Sequence, residues 1–374
     1  MKAVHRTSNL GGFVFSLATR AILTVVALAP LVASASVHVR TSERPVAQFG
    51  NPYGHVLVPS AGDEVATNHA DHVVGTGTPA SCTSAAVVRA VASGGVITFD
   101  CGPGPVTIVM AATARVVNSS HRIVIDGGGT VTLSGAGKRQ ILYMNTCDPR
   151  LQWTTSHCYD QEWPQLIVEN MTFEDGNSTL SQSEGASLGG GGGGAIFDEG
   201  GQLRVVNSRF IDNRCYHTGP DLGGAAIRAL AQWHNKPVYI VSDTFRGGQC
   251  SNGGALSSIE VSWVVLNSIM INNDAIGYGA NPAAPGTPGG GSGGAIYCDG
   301  STYALEIEGT VLRDNRAREG GGAIFLVSND STAKLTIDRS TLDDNPSAGF
   351  WTRPYPGIFF QSSGHPIVND STIR

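Results

Sequence analysis

Aromatic and charged residues are scarce in this chain of 374 residues, at 7% and 14%. Alanine, leucine, glutamate, lysine and arginine do not dominate, which disfavours a helix-rich fold. No Cys-x-x-Cys pair occurs, which argues against a zinc site or a redox motif. A basic stripe is also missing: 24 lysines and arginines stand against 30 acidic residues, which disfavours nucleic acid as a partner.

Glycine is abundant instead. The chain has 49 glycines without a strict period, which rules out collagen, and a hydrophobic fraction of 41%, which rules out disorder. From about residue 94 onward Gly, Ser, Thr, Val, Ile and Asn crowd the sequence, and this mixture favours strands and turns. The composition therefore predicts an all-β protein with a core.

The N-terminus has the pattern of a secretory signal peptide. Lys2, Arg6 and Arg20 precede an apolar run over residues 21–32, and small residues follow at 33–35. The run is shorter than the roughly 20 residues of a spanning helix, so no stable membrane span is expected. We predict a signal peptide over residues 1–35, an extended leader or linker over 36–79, and a secreted or cell-surface location.

Seven cysteines fit an exported protein, because thiols oxidise to disulfides outside the cell. Spacing suggests three pairs and leaves Cys298 over, although sequence alone does not fix the connectivity. The suggested pairs are Cys82 with Cys101, Cys147 with Cys158, and Cys215 with Cys250.

The second half of the chain is repetitive. Segments of the type Ala-Ile-Phe recur at spacings of 31, 29, 40 and 28 residues, each preceded by Gly-Gly or Gly-Gly-Ala, and a block related to Asn-Ser-x-Phe-x-x-Asn follows each. A unit of about 30 residues with short apolar segments is typical of a solenoid, whose units bury their apolar side by stacking. The segments begin at Ala195, Ala226, Ala255, Ala295 and Ala323.

An asparagine recurs three residues after a large apolar side chain in these blocks. Asparagine tolerates the left-handed conformation and hydrogen-bonds neighbouring backbone, so we expect a stacked asparagine turn with a structural role. The four positions are Asn213, Asn273, Asn315 and Asn345.

The Gly-Gly-Ala-Ile segment followed by Asn-Ser-x-Phe-x-x-Asn resembles the repeats of secreted bacterial right-handed parallel β-helix proteins, including polymorphic outer-membrane-protein repeats. The resemblance covers residues 94–374 and implies a right-handed, single-stranded parallel β-helix, a fold shared with the pectate lyases. We place this domain at residues 80–374 and expect a short helix from Ser84 to Ala92 to cap its N-terminal end. Because Arg374 falls inside a repeat, a partner covers the last coil or the sequence is a shortened version of a longer one.

One strand of each repeat predicts a row of outward-facing side chains. Aliphatic residues such as Ile196 and Ile227 belong inside, and alternation turns the next residue outward. Flat rings in this row suit the faces of sugar rings, and an exposed apolar strip marks a contact surface. Loops folding over the row would make it a covered satellite core instead, and both alternatives stay open. The row comprises Phe197, Arg228, Ser257, Tyr297, Phe325 and Phe359, and all but Ser257 are candidate ligand-binding residues.

Candidate catalytic groups lie around the same row. In calcium-assisted lyases on the resembled fold, carboxylates hold the cation, which neutralises a uronate, and an arginine or lysine removes a proton. The motifs of pectate lyases and polygalacturonases are absent, so this activity rests on the resemblance alone. No cofactor is required by the sequence, and calcium is the candidate cation. The catalytic candidates are Arg228, Asp198 and Glu260, and the candidate metal ligands are Asp198, Glu199 and Asp299.

The favoured function is recognition of an extracellular or cell-wall glycan, or adhesion, through one loop-rich edge. Two other classes stay open: a polysaccharide-degrading lyase or glycoside hydrolase, and a passive surface scaffold. The variable insertions that define the edge lie at 176–192, 214–222, 275–292 and 346–356.

Overall fold

The computed structural model describes residues 49–180, 191–280 and 285–374. The predicted signal peptide, residues 36–48 of the predicted leader, and parts of the insertions at 176–192 and 275–292 lie outside the described residues. Within the described ranges the chain forms 28 strands, one α-helix and four short 3-10 helices. The protein is therefore mostly β, as its composition predicts.

The strands are short. In the first part of the chain they are β1 His72–Val74, β2 Gly95–Phe99, β3 Val106–Val109, β4 Ala114–Arg115, β5 Arg122–Ser134, β6 Leu142–Asn145, β7 Gln165–Glu174, β8 Ile196–Glu199, β9 Gln202–Val206 and β10 Arg209–Ile211. The next are β11 Ile227–Leu230, β12 Val238–Val241, β13 Thr244–Arg246, β14 Gln249–Cys250, β15 Leu256–Ile259, β16 Trp263–Leu266, β17 Ile269–Ile271, β18 Asp274–Ala275 and β19 Ile296–Asp299. The last are β20 Ala304–Glu308, β21 Val311–Arg313, β22 Arg316–Ala317, β23 Ile324–Val327, β24 Lys334–Asp338, β25 Thr341–Asp343, β26 Ile358–Gln361, β27 Ile367–Asn369 and β28 Thr372–Ile373. The 3-10 helices are Ser60–Gly62, Pro79–Ser81, Pro149–Leu151 and Trp233–Asn235.

These strands form three parallel sheets of 17, eight and three strands. The eight-stranded sheet has the order β4-β6-β8-β11-β15-β19-β23-β26, so each strand pairs with its counterpart in the next repeat. The three-stranded sheet, β14-β18-β22, follows the same rule. The 17-stranded sheet, called the long sheet below, contains the remaining strands. This order confirms the predicted parallel all-β class, because strands from successive repeats lie side by side and run in the same direction.

The core follows from the register of the repeats. Ile227 pairs with both Ile196 and Leu256, and the equivalent residues continue in register to the last repeat. A ladder of stacked rings runs through the same core, with Phe210 between Phe173 and Phe245 at centroid distances of 5.2 and 4.7 Å. Burying each large apolar side chain contributes about 1.5–3 kcal/mol. The predicted inward row is fully buried in this core: Ile196, Ile227, Leu256, Ile296, Ile324 and Ile358.

The Gly-Gly segments have a local cause. The glycine two residues before each Ala-Ile segment, or its equivalent, has a positive φ, for example 60° at Gly193. A Cβ on Gly193 would collide with the carbonyl oxygen of Ile196. Only glycine adopts this turn without steric cost, which explains why the segment recurs.

The four predicted asparagines form a buried column. The Oδ1 of Asn345 accepts from the backbone N–H of Asn315 at 3.1 Å and from its Nδ2 at 2.9 Å. The Nδ2 of Asn315 also donates to the carbonyl of Met270 at 2.9 Å. The left-handed conformation lies one residue earlier, at positions such as Asp314, which has φ 55°. The asparagine side chains therefore join successive repeats, and their neighbours make the turn.

The α-helix and the disulfides match their predictions. Helix α1 spans Ser84–Ser93, and the side chain of Thr83 accepts a hydrogen bond from the backbone N–H of Ala86 at its N-terminus. Its buried face joins the core beside β1 and β4. No helix in the described ranges has the length and apolar character needed to span a membrane. The disulfides join Cys82 to Cys101, Cys147 to Cys158 and Cys215 to Cys250, and Cys298 is a buried free thiol.

Residues 49–71 form an extended segment along the outer face of the long sheet, which we call the strap. Val56 packs on Val206, Val241 and Leu266. After the strap, β1 pairs in parallel with β2. Residues 49–79 belong to the compact unit that contains the sheets. Hydrogen bonds attach the strap to distant repeats, among them Asn51 Nδ2 to Gly309 O, Val56 N to Asn267 Oδ1, Val65 N to Glu169 Oε2, and Thr67 Oγ1 to Asp126 Oδ2.

Candidate functional site

The outward row exists as a set of in-register side chains on the eight-stranded sheet. Arg228 pairs with Phe197 on one side and Ser257 on the other. Further along, Phe325 stacks between Tyr297 and Phe359, with centroid distances of 5.1 and 4.9 Å. Alternation along the strands thus assigns the correct face to the row.

Most of this row is covered. The exposed fraction is 2% for Phe197, zero for Arg228 and 7% for Tyr297. Phe325 and Phe359 are half-buried, and the edge of the Phe350 ring packs against Phe359. The sequence left open whether the row is an exposed strip or a covered satellite core. Its first four residues, from Phe197 to Tyr297, are covered. Only its last two rings retain an accessible face.

Arg228 fixes a covering loop. Its Nη2 donates to the carbonyl oxygen of Asp221 at 2.6 Å, and its Nη1 donates to the Ser257 hydroxyl at 2.5 Å. Burial lowers the pKa of Arg228 to about 10. The guanidinium therefore holds the loop over the sheet, and its side chain is not accessible to a ligand in this structure.

Asp198 and Glu199 lie on opposite faces of β8. Asp198 points into the core, where its Oδ2 accepts from Gln232 Nε2 at 2.5 Å and its Oδ1 has no hydrogen-bond partner. Burial raises the pKa of Asp198 well above its usual range. Glu199 faces outward and accepts a hydrogen bond from Asn145. Asp198 thus differs from the position expected for it at the outward row.

The catalytic candidates do not converge. Glu260 is exposed in the turn after β15, with φ 57°. Arg228 lies under a loop on the outer face, and Asp198 lies inside the core. A shared proton-transfer step needs side chains within hydrogen-bond reach of one substrate. The structure brings no two of these three groups together in that way.

The candidate cation ligands are also dispersed. Glu199 and Asp299 occupy equivalent positions on β8 and β19, three strand spacings apart. At about 4.8 Å per strand they are separated by about 14 Å, whereas carboxylates bound to one calcium ion lie within a few ångströms of it. In the described part of the chain no group of three His, Cys, Asp or Glu residues could hold a metal ion.

A second set of aromatic side chains is exposed, and the sequence reasoning did not single it out. It lies on the loops that follow strands of the eight-stranded sheet. The loop closed by the Cys147–Cys158 disulfide carries Trp153, which is 64% exposed. Tyr159 and Trp163 follow at 43% and 40%. The sequence contained one indication of this set, namely a tryptophan between two cysteines that are close in the chain.

Other repeats add His121, the half-buried Trp233 and His234 to this set. The ring of Trp163 stacks on His121 at 4.5 Å, and the ring of Trp233 stacks on His234 at 4.6 Å. Lys236 Nζ lies 4.1 Å from the Trp233 ring centroid. We call this surface the aromatic edge; it comprises His121, Trp153, Tyr159, Trp163, Trp233 and His234.

Backbone contacts hold the aromatic edge in place. The carbonyl of Pro164, next to Trp163, accepts from Gln202 N at 3.0 Å. The carbonyl of Gly201 accepts from Trp233 N at 2.9 Å. Trp163 and Trp233 thus flank a repeat that has glycines, and no large side chain, at the equivalent turn. The edge therefore contains two ring stacks, Trp163 on His121 and Trp233 on His234, next to backbone hydrogen bonds between repeats.

Comparisons with protein-family models, with curated proteins and with solved structures find no match to this chain. The function is therefore inferred from the geometry of these surfaces.

Proposed function

We propose that this protein is an exported right-handed parallel β-helix that binds an extracellular or cell-wall glycan through the aromatic edge. The observation that carries this proposal is the set of exposed rings Trp153, Tyr159 and Trp163 on one loop, with the half-buried Trp233 two repeats further along the sheet. Side chains of this type present an apolar face and a polar group, which suits the alternating apolar and hydroxylated faces of sugars. A soluble domain rarely exposes several such rings together unless they contact a partner.

The β-helix part of the proposal is supported by the parallel pairing of each repeat with the next. A parallel connection between strands is right-handed in nearly all known cases, which supports the handedness. Export is supported by the signal-peptide pattern and by three disulfides, which persist in oxidising compartments.

Rigidity of the edge favours binding over passive display. The disulfide closes the loop that bears Trp153, and the backbone bonds from Gln202 and Trp233 fix the neighbouring repeats. A preorganised surface loses little conformational entropy when it binds. The described residues give no comparable support for the lyase or hydrolase class, because its nominated groups are apart.

A pull-down with insoluble polysaccharides tests this function. We expect the mature protein to be retained, and Trp163→Ala or Trp233→Ala to weaken retention about fivefold or more, since a ring stack contributes about 1 kcal/mol beyond its buried area. Trp351→Ala is the matched control, because Trp351 is 41% exposed and lies outside the edge. Equal retention of all variants, or no retention of the parent, would contradict the proposal.

The enzymatic alternative is tested on the same protein. Incubation with uronic-acid and neutral polysaccharides, with and without calcium, should release no new reducing ends and no unsaturated product. Turnover that survives Trp163→Ala and Trp233→Ala would place a catalytic site elsewhere and would overturn a function limited to binding.

A further inference from the structure

A groove borders the aromatic edge on the outer face of the long sheet. Its volume is about 360 Å³. In-register side chains of β7, β9 and β12 form its floor: Gln165 pairs with Gln202, and Arg204 lies between Ile167 and Tyr239. Ala61 of the strap lines one side of this groove, and Lys236 lines another.

The groove is basic within an acidic chain. Arg204 and Lys236 line it, and the exposed Arg122 pairs with Gln165 at its margin, whereas the chain as a whole carries a net charge of −6. Arg204 Nη1 donates to the carbonyl of Ala61 at 2.8 Å. The Nε–H of Arg204 is buried and has no hydrogen-bond partner. A ligand in the groove does not reach this shielded nitrogen, and only the accessible part of the half-buried Arg204 side chain is available to it.

The acidic groups near Arg204 do not satisfy this donor. They are Glu169 and Asp63. Glu169 Oε2 accepts from the strap at Val65 N, and burial raises the pKa of Glu169 to about 7. Near neutral pH Glu169 is therefore partly protonated, and its competition for the arginine is reduced.

The groove is continuous with the aromatic edge. Lys236 lies over the Trp233 ring, and Gln202 Nε2 donates to the carbonyl of Glu162, the residue before Trp163. A chain molecule lying on the rings would thus extend over the groove. Glutamine amides donate and accept hydrogen bonds, as sugar hydroxyls require.

We propose that the groove binds an anionic substituent of the glycan, a carboxylate or a sulfate, through Arg204 and Lys236. This inference rests on the proposed glycan-binding function and adds the chemical class of the ligand. Arginine presents a planar fork that matches both oxyanions, and charge-assisted bonds are about twice as strong as neutral ones. A neutral glycan would leave both cations unused.

Matched pairs of polymers test the inference. The probes are polygalacturonate against its fully methyl-esterified form, and dextran sulfate against dextran, each titrated onto the mature full chain. We expect at least one charged polymer to bind about tenfold or more tightly than its neutral counterpart, because a hydrogen bond to a charged group contributes about 1.5–3 kcal/mol. Preference in one pair identifies carboxylate or sulfate as the source, and either result supports the proposal.

Variants then locate the preference. Arg204→Gln and Lys236→Gln should reduce the charged-to-neutral ratio toward one. Arg246→Gln and Lys334→Gln are the matched controls, since both side chains are exposed and lie outside the groove. A ratio that the controls lower as much as the groove variants would overturn the assignment, because it would report net charge alone.

The outcomes distinguish failure of the anionic subsite from failure of the glycan-binding function on which it rests. Equal binding of charged and neutral polymers by the parent protein overturns the anionic subsite and leaves the aromatic edge intact. Absence of binding to every polymer overturns both proposals. The parent comparison needs no variant, so it decides the question even if Arg204→Gln fails to fold.

Discussion

The outward row, whose first four residues are buried and which we call the covered row, and the aromatic edge both carry aromatic side chains, yet they differ in their exposure to solvent. Phe197 and Tyr297 sit on strands, under loops from adjacent repeats, at 2% and 7% exposure. Trp153 and Trp163 sit beyond the strand ends at 64% and 40%. Alternation decides which face of a sheet a residue occupies, but the path of the loops decides whether that face meets water.

The largest expected effect separates the two surfaces by stability. Phe197→Ala should lower the free energy of unfolding by about 3–5 kcal/mol, because it removes a buried ring that stacks on Tyr143 at 5.2 Å. Trp153→Ala should change it by less than about 0.5 kcal/mol. Denaturant unfolding followed by far-UV circular dichroism measures both. Similar losses in the two variants would show that the distinction between covered row and exposed edge is wrong.

The next prediction concerns the support of the aromatic edge. Replacing Cys147 and Cys158 by serine opens a loop whose closure is worth about 3 kcal/mol in chain entropy. We expect weaker retention on the glycan, with Trp153 no longer held, and a smaller change in core stability. The matched control replaces Cys215 and Cys250, which are buried beside Ala225. If that control lowers retention equally, the loop closed by the first pair has no special role.

A buried carboxylate beside the covered row predicts pH dependence. Because burial raises the pKa of Asp198, its stabilising contribution is complete below the unfolded pKa of about 3.9 and is lost as the pH rises through the folded pKa. One such group removes at most about 1.4 kcal/mol per pH unit. Asp198→Asn should flatten the stability profile above pH 4, whereas Glu260→Gln, at an exposed turn, should not. Parallel profiles for Asp198→Asn and the parent would refute this.

The smallest effect is expected at the covered end of the row. Tyr297→Phe removes a hydroxyl that donates to Asp299 Oδ2 at 3.3 Å, a long hydrogen bond. Stability should fall by about 1 kcal/mol or less, and glycan retention should not change. A loss of retention comparable to that of Trp163→Ala would mean that the row opens in solution.

The sequence predicts the features that depend on local pattern. The inward row from Ile196 onward, helix α1 and the three disulfide pairs follow from alternation, helical spacing and cysteine spacing. Position parity alone also assigns Asp198 to the same face as Ile196. We expected Asp198 at the surface because it is a charged residue type. The structure places it in the core, on the face that alternation along the strand predicts.

The sequence does not predict the features that depend on contacts across many residues. The covering of Arg228 requires the path of the loop that carries Asp221. The strap has no repeat pattern, and several of its hydrogen bonds join residues more than 50 positions apart. Trp163 and Trp233 come to the same side of the molecule only through stacking of the repeat between them. Such relations arise from tertiary packing, for which periodicity carries no signal.

The strap changes how the stacked repeats respond to disruption. In a simple solenoid each unit contacts only its immediate neighbours, so a terminal unit can fray without cost to distant ones. Here one segment bonds to Gly309, Asn267, Glu169 and Asp126, which belong to several different units. Detaching any one of these units strains its links to the others. We therefore expect the strap to couple the repeats that it contacts, so that they unfold more cooperatively than units that contact only their neighbours.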